Sequence, residues 1–220
     1  MERIVVVGAS GLAKIVIDII ERAEHYAIAG LIDAQRPAGA TFFGYPVLGN
    51  DDDAPRICET LAVDAAAIAI GDNWRRHLVA ERLRRLVPRW QFPPVLDPSV
   101  HLARGASVGS GTIAMHGVAV SCDTRLGEFV LCAYNASVGH DCDIGDFATL
   151  AQATAIAGGV SFGAFSVLAV GAAVVHGVSI GHHTVVGAGA TAVSDIGDHV
   201  VALGTPASVV RRRQAGDGYL

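Results

Sequence analysis

Residues 126–150 read LGEFVLCAYNASVGHDCDIGDFATL, and every sixth residue of this stretch is small or aliphatic. The same spacing continues toward both termini without an insertion and without a charged residue. The sixteen positions are Leu102, Val108, Ala114, Val120, Leu126, Cys132, Val138, Ile144, Leu150, Ile156, Phe162, Leu168, Val174, Ile180, Val186 and Ala192. A period of six is neither that of an α-helix nor the simple alternation of a strand, and it is typical of a parallel β-helix of hexapeptide repeats. Three hexads form one triangular coil, so the series predicts about five coils.

The composition argues against several classes of protein. The 220 residues are 51% hydrophobic, yet no run reaches the roughly 18 uncharged apolar residues of a membrane span, so we expect no membrane insertion. The net charge is −5 with only 16 Lys and Arg, which argues against binding of nucleic acid. The start Met1-Glu2-Arg3 does not resemble a signal peptide, and this predicts a cytoplasmic protein.

The four cysteines form no CxxC pair, and no histidine spacing is typical of a metal site. One of them, Cys132, occupies a core position of the hexad series. We therefore expect structural thiols and no metal.

The first 95 residues follow a different pattern. Short apolar runs alternate with helical spacing, and these runs lie at 3–7, 27–32 and 64–70. The alternation predicts a small Rossmann-like α/β domain with a parallel sheet. Prolines at positions 93, 94 and 98 mark its end, because proline disrupts helices and interior strands. The predicted organisation is therefore an α/β domain at 1–95, the β-helix at 96–213 and a tail at 214–220.

Three loops of the α/β domain carry ligand-binding signals. Gly8-x-x-Gly11 precedes a helix, whose N-terminus favours an anion such as phosphate. Asp33 ends the second apolar run, and Gly71-Asp72-Asn73 ends the third. The carboxyl ends of parallel strands meet at one side of the sheet, so the three loops predict a nucleotide-type ligand. Each feature is also compatible with a tight turn or a strand-end cap that binds nothing.

His140 has a distinctive setting in the repeats. It follows the core residue Val138 by two positions, and Asp141 comes directly after it. An imidazole can take a proton from an attacking amine or hydroxyl, and a carboxylate partner raises its basicity. Adjacent side chains of a flat strand point in opposite directions, so a His140–Asp141 pair requires the corner of a coil.

Further motifs occur in order along almost the whole chain. They are Gly8-Ala9-Ser10-Gly11-x-Ala13-Lys14, Ile32-Asp33, Ala69-Ile70-Gly71-x-Asn73-x-x-Arg76, Asp97-Pro98-Ser99, Gly139-His140-Asp141, Ile144-Gly145-Asp146-Phe147, Val186-Gly187-Ala188-Gly189-Ala190 and Gly204-Thr205-Pro206-Ala207. This set resembles the bacterial sugar acyltransferases that join a small nucleotide-binding domain to a left-handed β-helix. These include the N-acetyltransferases of nucleotide-linked amino sugars of the bacillosamine and perosamine type, with the sialic acid O-acetyltransferases as cousins.

The resemblance implies a homotrimer that acetylates a UDP- or GDP-linked 4-amino-4,6-dideoxyhexose with acetyl-CoA. It implies His140 as general base and Asp141 as its partner. The implied contacts to the nucleotide sugar are Ser10, Gly11, Leu12, Asp33, Gly71, Asn73 and Arg76. The implied contacts to acetyl-CoA are Thr149, Gly158, Val170 and Ala188, with the Gly158 N–H as a donor to the thioester oxygen.

The chain departs from the family pattern on the acceptor side. Leu12 stands where the family usually has His, and Asp97-Pro98 replaces a common His-Pro. Some relatives carry His at the position of Thr149 and Asn at that of Ala133. A different sugar or nucleotide is therefore compatible with the sequence.

Three alternatives stay open from the residues. The first is a sugar O-acetyltransferase, since one base serves an amine and a hydroxyl alike. The second is a β-helix protein that binds a nucleotide and catalyses nothing. The third is a metal enzyme of the carbonic anhydrase type, which needs three converging histidines from among His116, His140, His176, His182 and His183.

Overall fold

A computed structural model describes residues 1–219 and divides the chain into two compact units, the first spanning residues 1–98 and the second beginning at Ser99. This division lies within the proline-rich segment of the sequence. Each unit has its own core.

The first unit is a five-stranded, mostly parallel sheet with helices. Its strands are β1 Glu2–Val7, β2 Tyr26–Ile32, β3 Thr41–Phe42, β4 Tyr45–Gly49 and β5 Ala65–Ile68, followed by β6 Val95–Leu96. Its helices are α1 Gly11–Ala23, α2 Ala54–Leu61 and α3 Asn73–Leu86, with a 3₁₀ turn at Asp51–Asp53. The order β3-β4-β2-β1-β5 is parallel except for the β3–β4 hairpin.

The register of the sheet brings the ligand loops together. Val7 pairs with Ile32 on one side and with Ile68 on the other, so β1, β2 and β5 end at the same level. The Gly8 N–H donates to the Ile32 carbonyl at 2.7 Å, and the Ala69 N–H donates to the Val7 carbonyl at 2.8 Å. The loops after these strands therefore share one side of the sheet, as predicted.

The second unit is a parallel β-helix of sixteen two-residue strands, β7 to β22. In order they are His101–Leu102, Ser107–Val108, Ile113–Ala114, Ala119–Val120, Arg125–Leu126, Leu131–Cys132, Ser137–Val138, Asp143–Ile144, Thr149–Leu150, Ala155–Ile156, Ser161–Phe162, Val167–Leu168, Ala173–Val174, Ser179–Ile180, Val185–Val186 and Thr191–Ala192. Two longer strands follow, β23 Val200–Leu203 and β24 Ser208–Arg212, which pair antiparallel. About five coils result, as the period predicted.

Every third strand belongs to the same face. Face 1 contains β7, β10, β13, β16, β19 and β22, face 2 contains β8, β11, β14, β17 and β20, and face 3 contains β9, β12, β15, β18 and β21. Corner A joins faces 1 and 2 and includes residues 139–142, 157–160 and 175–178. Corner B joins faces 2 and 3 and includes 145–148, 163–166 and 181–184. Corner C joins faces 3 and 1 and includes 151–154, 169–172 and 187–190.

The hexad series forms the interior of this prism. All positions from Ala114 to Ala192 are at most 4% exposed. Leu102 is 39% exposed and Val108 is half-buried. Both lie in the first coil, which has a neighbouring coil on one side only. The prediction of a core residue is therefore confirmed for the inner coils and wrong for Leu102.

Corner B carries a column of stacked rings. Phe129, Phe147, Phe165, His183 and His199 lie above one another with centroids 4.7–5.1 Å apart. All five residues have positive φ, since each occupies the left-handed position of its turn. The C-terminal segment is also packed, because Tyr219 contacts the apolar cluster of Val167, Val185 and Val201.

Candidate active site

A cleft of about 820 Å³ opens at the carboxyl ends of the parallel strands in the first unit. Its lining includes Ser10 after β1, Asp33 after β2 and Gly71 after β5, which were predicted from the sequence. Two cationic side chains, Arg36 and Arg75, also line it. The lining also includes the carboxylates of Asp33, Asp51 and Asp72, so the helix N-terminus and the two guanidinium groups are the parts of the cleft suited to an anionic ligand.

The start of α1 is open to a ligand. Ser10 is the N-cap residue, yet its hydroxyl makes no capping hydrogen bond to the helix. The first turn of α1 contains no acidic residue. An anion placed here would meet the positive end of the helix dipole without repulsion from the helix itself.

Asp33 has a structural role in the cleft as well as a position on its wall. Its Oδ2 accepts the Ala9 N–H at 2.8 Å, and its Oδ1 accepts the N–H groups of Gln35 and Arg36 at 2.9 Å. These bonds hold the loops after β1 and β2 together. Oδ1 already accepts two hydrogen bonds, so Oδ2 is the oxygen that keeps acceptor capacity for a ligand.

Arg76 and Asn73 lie beneath the cleft. Arg76 is 1% exposed, and its Nη1 donates to the carbonyls of Ile70 and Gly71 at 2.8 Å each. Asn73 is 4% exposed. Arg76 therefore fixes the shape of the Gly71 loop, and the neighbouring Arg75 is the arginine that faces the cleft.

Two other predicted sugar contacts lie beside the cleft rather than on its wall. Among the described residues, the lining does not include Gly11 or Leu12. Asp97, which stands where the family commonly has His, has a structural role in the same unit. It is 2% exposed and forms an ion pair with Arg22 of α1. That hydrogen-bonded pair raises the pKa of Arg22, so the guanidinium stays charged.

His140 and Asp141 form the expected pair at corner A. His140 Nδ1 lies 2.7 Å from Asp141 Oδ2, and the two side chains are 56% and 68% exposed. Asp141 has a φ of 55°, the left-handed turn geometry that allows neighbouring side chains to meet. With Asp141 accepting from Nδ1–H, Nε2 carries the lone pair, and no described residue hydrogen-bonds to it.

Gly158 lies directly beside the imidazole on the next coil. A Cβ at position 158 would lie 2.4 Å from His140 Nε2, so only glycine leaves space for this ring orientation. The Gly159 N–H donates to the His140 carbonyl at 2.8 Å and fixes the two coils relative to each other. Among the described residues no acceptor takes the Gly158 N–H, which leaves a donor beside the base.

Thr124 supports this corner from the interior, and the sequence analysis missed it. Its hydroxyl donates to the Gly139 carbonyl at 2.6 Å and accepts the Cys142 N–H at 3.1 Å. The Cys142 thiol donates to the Ala157 carbonyl at 3.1 Å, and burial raises its pKa. The 18-residue coil repeat, which places residue 124 beneath 142, was the available signal.

The residues proposed for acetyl-CoA do not meet within one chain. Gly158 lies at corner A with His140, whereas Val170 and Ala188 lie at corner C. Thr149 is on face 3 and is only 7% exposed, while Val170 is 53% exposed. Face 1 separates the two corners.

The described residues contain neither a metal-ligand cluster nor a helix that could span a membrane. No group of three His, Cys, Asp or Glu side chains in residues 1–219 is arranged to hold a metal ion. Within the same residues, none of the helices has the length and apolarity needed to cross a bilayer.

A Rossmann-like unit with a cleft at the carboxyl ends of its strands, followed by a β-helix with a His–Asp pair at a corner, defines a hexapeptide-repeat acyltransferase. The sequence at residues 3–83 matches the model of the PglD N-terminal domain family. The chain is similar to PerB from Caulobacter crescentus, solved with CoA and GDP-perosamine, at 35% identity and a TM-score of 0.89 over 96% of this chain and 98% of that one. A variant of perosamine N-acetyltransferase from the same organism, also with CoA and GDP-perosamine, gives 34% identity and a TM-score of 0.90 with the same coverage.

The chain therefore belongs to the family of hexapeptide-repeat sugar N-acetyltransferases. The predicted fold class, a Rossmann-like domain followed by a left-handed parallel β-helix, is confirmed, as are an acyltransferase and acetyl-CoA as cosubstrate. The acetyltransferase domain of PglB from Neisseria gonorrhoeae shares the fold, with 24% identity and a TM-score of 0.86 over 95% of this chain and 99% of that one. No curated protein sequence matches the chain.

Proposed function

We propose that this enzyme transfers the acetyl group of acetyl-CoA to the amine of a nucleotide-linked 4-amino-4,6-dideoxyhexose, in the cytoplasm. The observation that carries the proposal is the arrangement at corner A: the paired His140 and Asp141, with Gly158 beside the free Nε2. The two relatives at 34–35% identity were solved with CoA and GDP-perosamine, which makes a GDP-linked sugar the first candidate and a UDP-linked sugar the second.

The geometry supports direct attack on the thioester. Asp141 holds Nδ1 of His140, so Nε2 takes the proton from the sugar amine as the C–N bond forms. The carbonyl oxygen becomes an oxyanion, and the Gly158 N–H donates to it. Such a donor contributes about 2.7–4 kcal/mol to the barrier reduction, and base catalysis adds about 10²–10⁴-fold. The C–S bond then breaks and coenzyme A leaves as the thiol, without an acyl-enzyme.

The cleft of the first unit would bind the nucleotide diphosphate. Ser10 and the N-terminus of α1 face the phosphates, with Arg36 and Arg75 as countercharges. Asp33 and Gly71 complete the wall, and Arg76 holds the Gly71 loop in place. Gly11, Leu12 and Asn73 remain proposed contacts at the margin of this site.

We further propose a homotrimer, in which corner A of one β-helix meets corner C of the next. Three observations support it. His140 and Asp141 are more than half exposed in a single chain, so a neighbouring surface is needed to exclude water. The residues proposed for acetyl-CoA are divided between corners A and C. Face 1 between these corners presents outward the small side chains of Ala119, Ser137, Ala155, Ala173 and Thr191, which allow close approach around a three-fold axis.

Co-expression of two inactive variants with different tags tests the shared site. His140→Ala removes the base from corner A, and Val170→Arg blocks the exposed apolar position at corner C. Mixed trimers would contain some sites with both corners intact, so the mixture should regain activity that neither variant shows alone. A mixed assembly, verified by both tags, that stays inactive would contradict a site shared between chains.

A thiol-release assay tests the reaction itself. The enzyme and its His140→Ala variant are given acetyl-CoA with GDP- and UDP-linked 4-amino sugars and with the matching 4-hydroxy sugars. We expect turnover on an amino sugar that falls by about 10²–10⁴-fold in the variant. Turnover on the hydroxy sugars alone would favour the O-acetyltransferase alternative. No turnover on any acceptor, with the nucleotide still bound, would favour a binding protein without catalysis.

A further inference from the structure

A second imidazole lies at corner A beside the proposed acyl-transfer site. Residues 140, 158 and 176 occupy the same turn position on three successive coils. The ring centroids of His140 and His176 are 6.0 Å apart, with the ring planes tilted by 45°. Two histidines separated by a whole coil come this close because the residue between them is Gly158, which has no side chain.

The backbone holds this column rigidly. The Gly159 N–H donates to the His140 carbonyl at 2.8 Å, and the Gly177 N–H donates to the Gly158 carbonyl at 3.0 Å. The His176 side chain is exposed, and its only described ring contact is with His140. The two imidazoles therefore lie close to each other at corner A, with the His140 ring in the space that a side chain at residue 158 would occupy.

We propose that His176 is a further residue of the acyl-transfer site, which donates an N–H hydrogen bond to the sulfur of the departing coenzyme A. The inference rests on the proposed function. If the oxyanion binds at the Gly158 N–H and the amine approaches His140, the methyl group and the sulfur are the two remaining substituents of the tetrahedral carbon. We assign the sulfur to the side of His176, because an imidazole N–H stabilises a leaving thiolate and offers a methyl group nothing. In the sequence, His176 stood out only as one of five histidines considered for a metal site.

The step balances without another reactant. The amine forms the C–N bond and gives its proton to His140 Nε2. The oxyanion then reforms the carbonyl, the C–S bond breaks and its electron pair moves to sulfur. His176 stabilises this charge through its N–H, and the proton held by His140 passes to the sulfur. An alkyl thiol such as that of cysteine has a pKa of about 8.5, so it is a poor leaving group as a bare thiolate near neutral pH, and a hydrogen-bond donor placed at the sulfur stabilises it.

Three substitutions at position 176 separate donation from packing. His176→Phe keeps a ring without a donor, His176→Asn keeps an N–H on a smaller side chain, and His176→Ala removes both. We expect kcat to fall by about 10²-fold in the Phe and Ala variants, as for loss of one charge-stabilising donor, with most activity kept in the Asn variant. The matched control is His25→Ala, which removes an exposed histidine of the first unit. Thermal melting reports whether each variant is folded.

A spectroscopic measurement on the parent protein is independent of any variant's folding. The ultraviolet absorbance of the thiolate gives the pKa of the coenzyme A thiol in the bound state. We expect this pKa to lie below that of free coenzyme A in the parent and in the His25→Ala variant, and to return toward the free value in His176→Phe. The other ionisable side chains at this corner are Arg104, Cys122, Asp123, His140, Asp141, Cys142 and Asp195.

The outcomes distinguish this inference from the proposed function. A parental kcat in His176→Phe, or an unshifted thiol pKa in the parent complex, would overturn the role of His176. A loss of turnover in His140→Ala would in that case still support His140 as the general base. If His140→Ala kept parental turnover, the proposed mechanism would fail first. A loss of kcat in His176→Phe with rescue in His176→Asn would support donation, because a purely packing role predicts the opposite order.

Discussion

Replacing Gly158 by alanine tests whether the position of the His140 ring controls catalysis. The new Cβ would lie 2.4 Å from Nε2 and 2.6 Å from Cε1 of His140. Ordinary carbon–nitrogen contact requires about 3.4 Å, so the ring must withdraw by about 1 Å. The backbone at position 158 does not have positive φ, so alanine adds no backbone strain. Because the atoms that must move end a side chain, the fold should tolerate the change.

A displacement of about 1 Å in a reacting group can reduce the rate by about 10²-fold. We therefore expect kcat for thiol release to fall by about 10²-fold in Gly158→Ala, with little change in melting temperature. The control is Gly197→Ala, because a Cβ there would meet nothing within 4 Å. A Gly158→Ala enzyme that keeps kcat within about threefold of the parent would show that the ring position in the structure is not the catalytic one.

Three further variants test other parts of the account. Thr124→Val removes the hydrogen bonds between the Thr124 hydroxyl and the backbone of corner A, so the free energy of unfolding from chemical denaturation should fall by about 1–3 kcal/mol. An unchanged free energy of unfolding would contradict the supporting role of Thr124. Arg76→Met removes the hydrogen bonds that hold the Gly71 loop, so KM for the nucleotide sugar should rise while the Kd of acetyl-CoA stays constant. An unchanged KM would show that the Gly71 loop does not bind the nucleotide sugar. Burial lowers the pKa of His183, and the positive charges of His199 and Arg213 lower it further. The unfolded state therefore binds more protons than the folded state, and the free energy of unfolding decreases as the pH drops through the unfolded pKa of about 6.5. The His183→Phe variant continues the phenylalanine column. Its denaturation midpoint should decrease less than that of the parent between about pH 7.5 and 5, and an equal decrease would show that His183 is not the source of this pH dependence.

The fold was largely predictable because its period is strict. A buried residue at every sixth position requires identical, stacked coils, and the structure confirms these for Ala114 to Ala192. The exposed Leu102 differs because an end coil has no covering neighbour, a condition that a local pattern does not record. In the first unit, the β3–β4 hairpin and α2 were not predicted, since their short segments carry no clear period.

The candidate site was predictable only where the sequence places its residues side by side. The His140–Asp141 contact needs one turn and was predicted. Arg76 was singled out by the motif as a ligand contact, whereas the structure buries it on the side of α3 that carries Ala80 and Leu83 and leaves Arg75 exposed at the cleft. The contacts of Gly158 and His176 with His140 depend on coil stacking, so they become visible only when the 18-residue repeat is applied to side chains.

A structure of the enzyme with coenzyme A and a GDP-linked 4-amino-4,6-dideoxyhexose would show whether the acceptor amine binds at His140. The decisive quantity is the distance from the sugar amine nitrogen to His140 Nε2. We expect a hydrogen-bonding distance of about 2.6–3.2 Å, directly or through one water, with the thiol beside Gly158. An amine bound away from His140, with the sulfur remote from corner A, would contradict it.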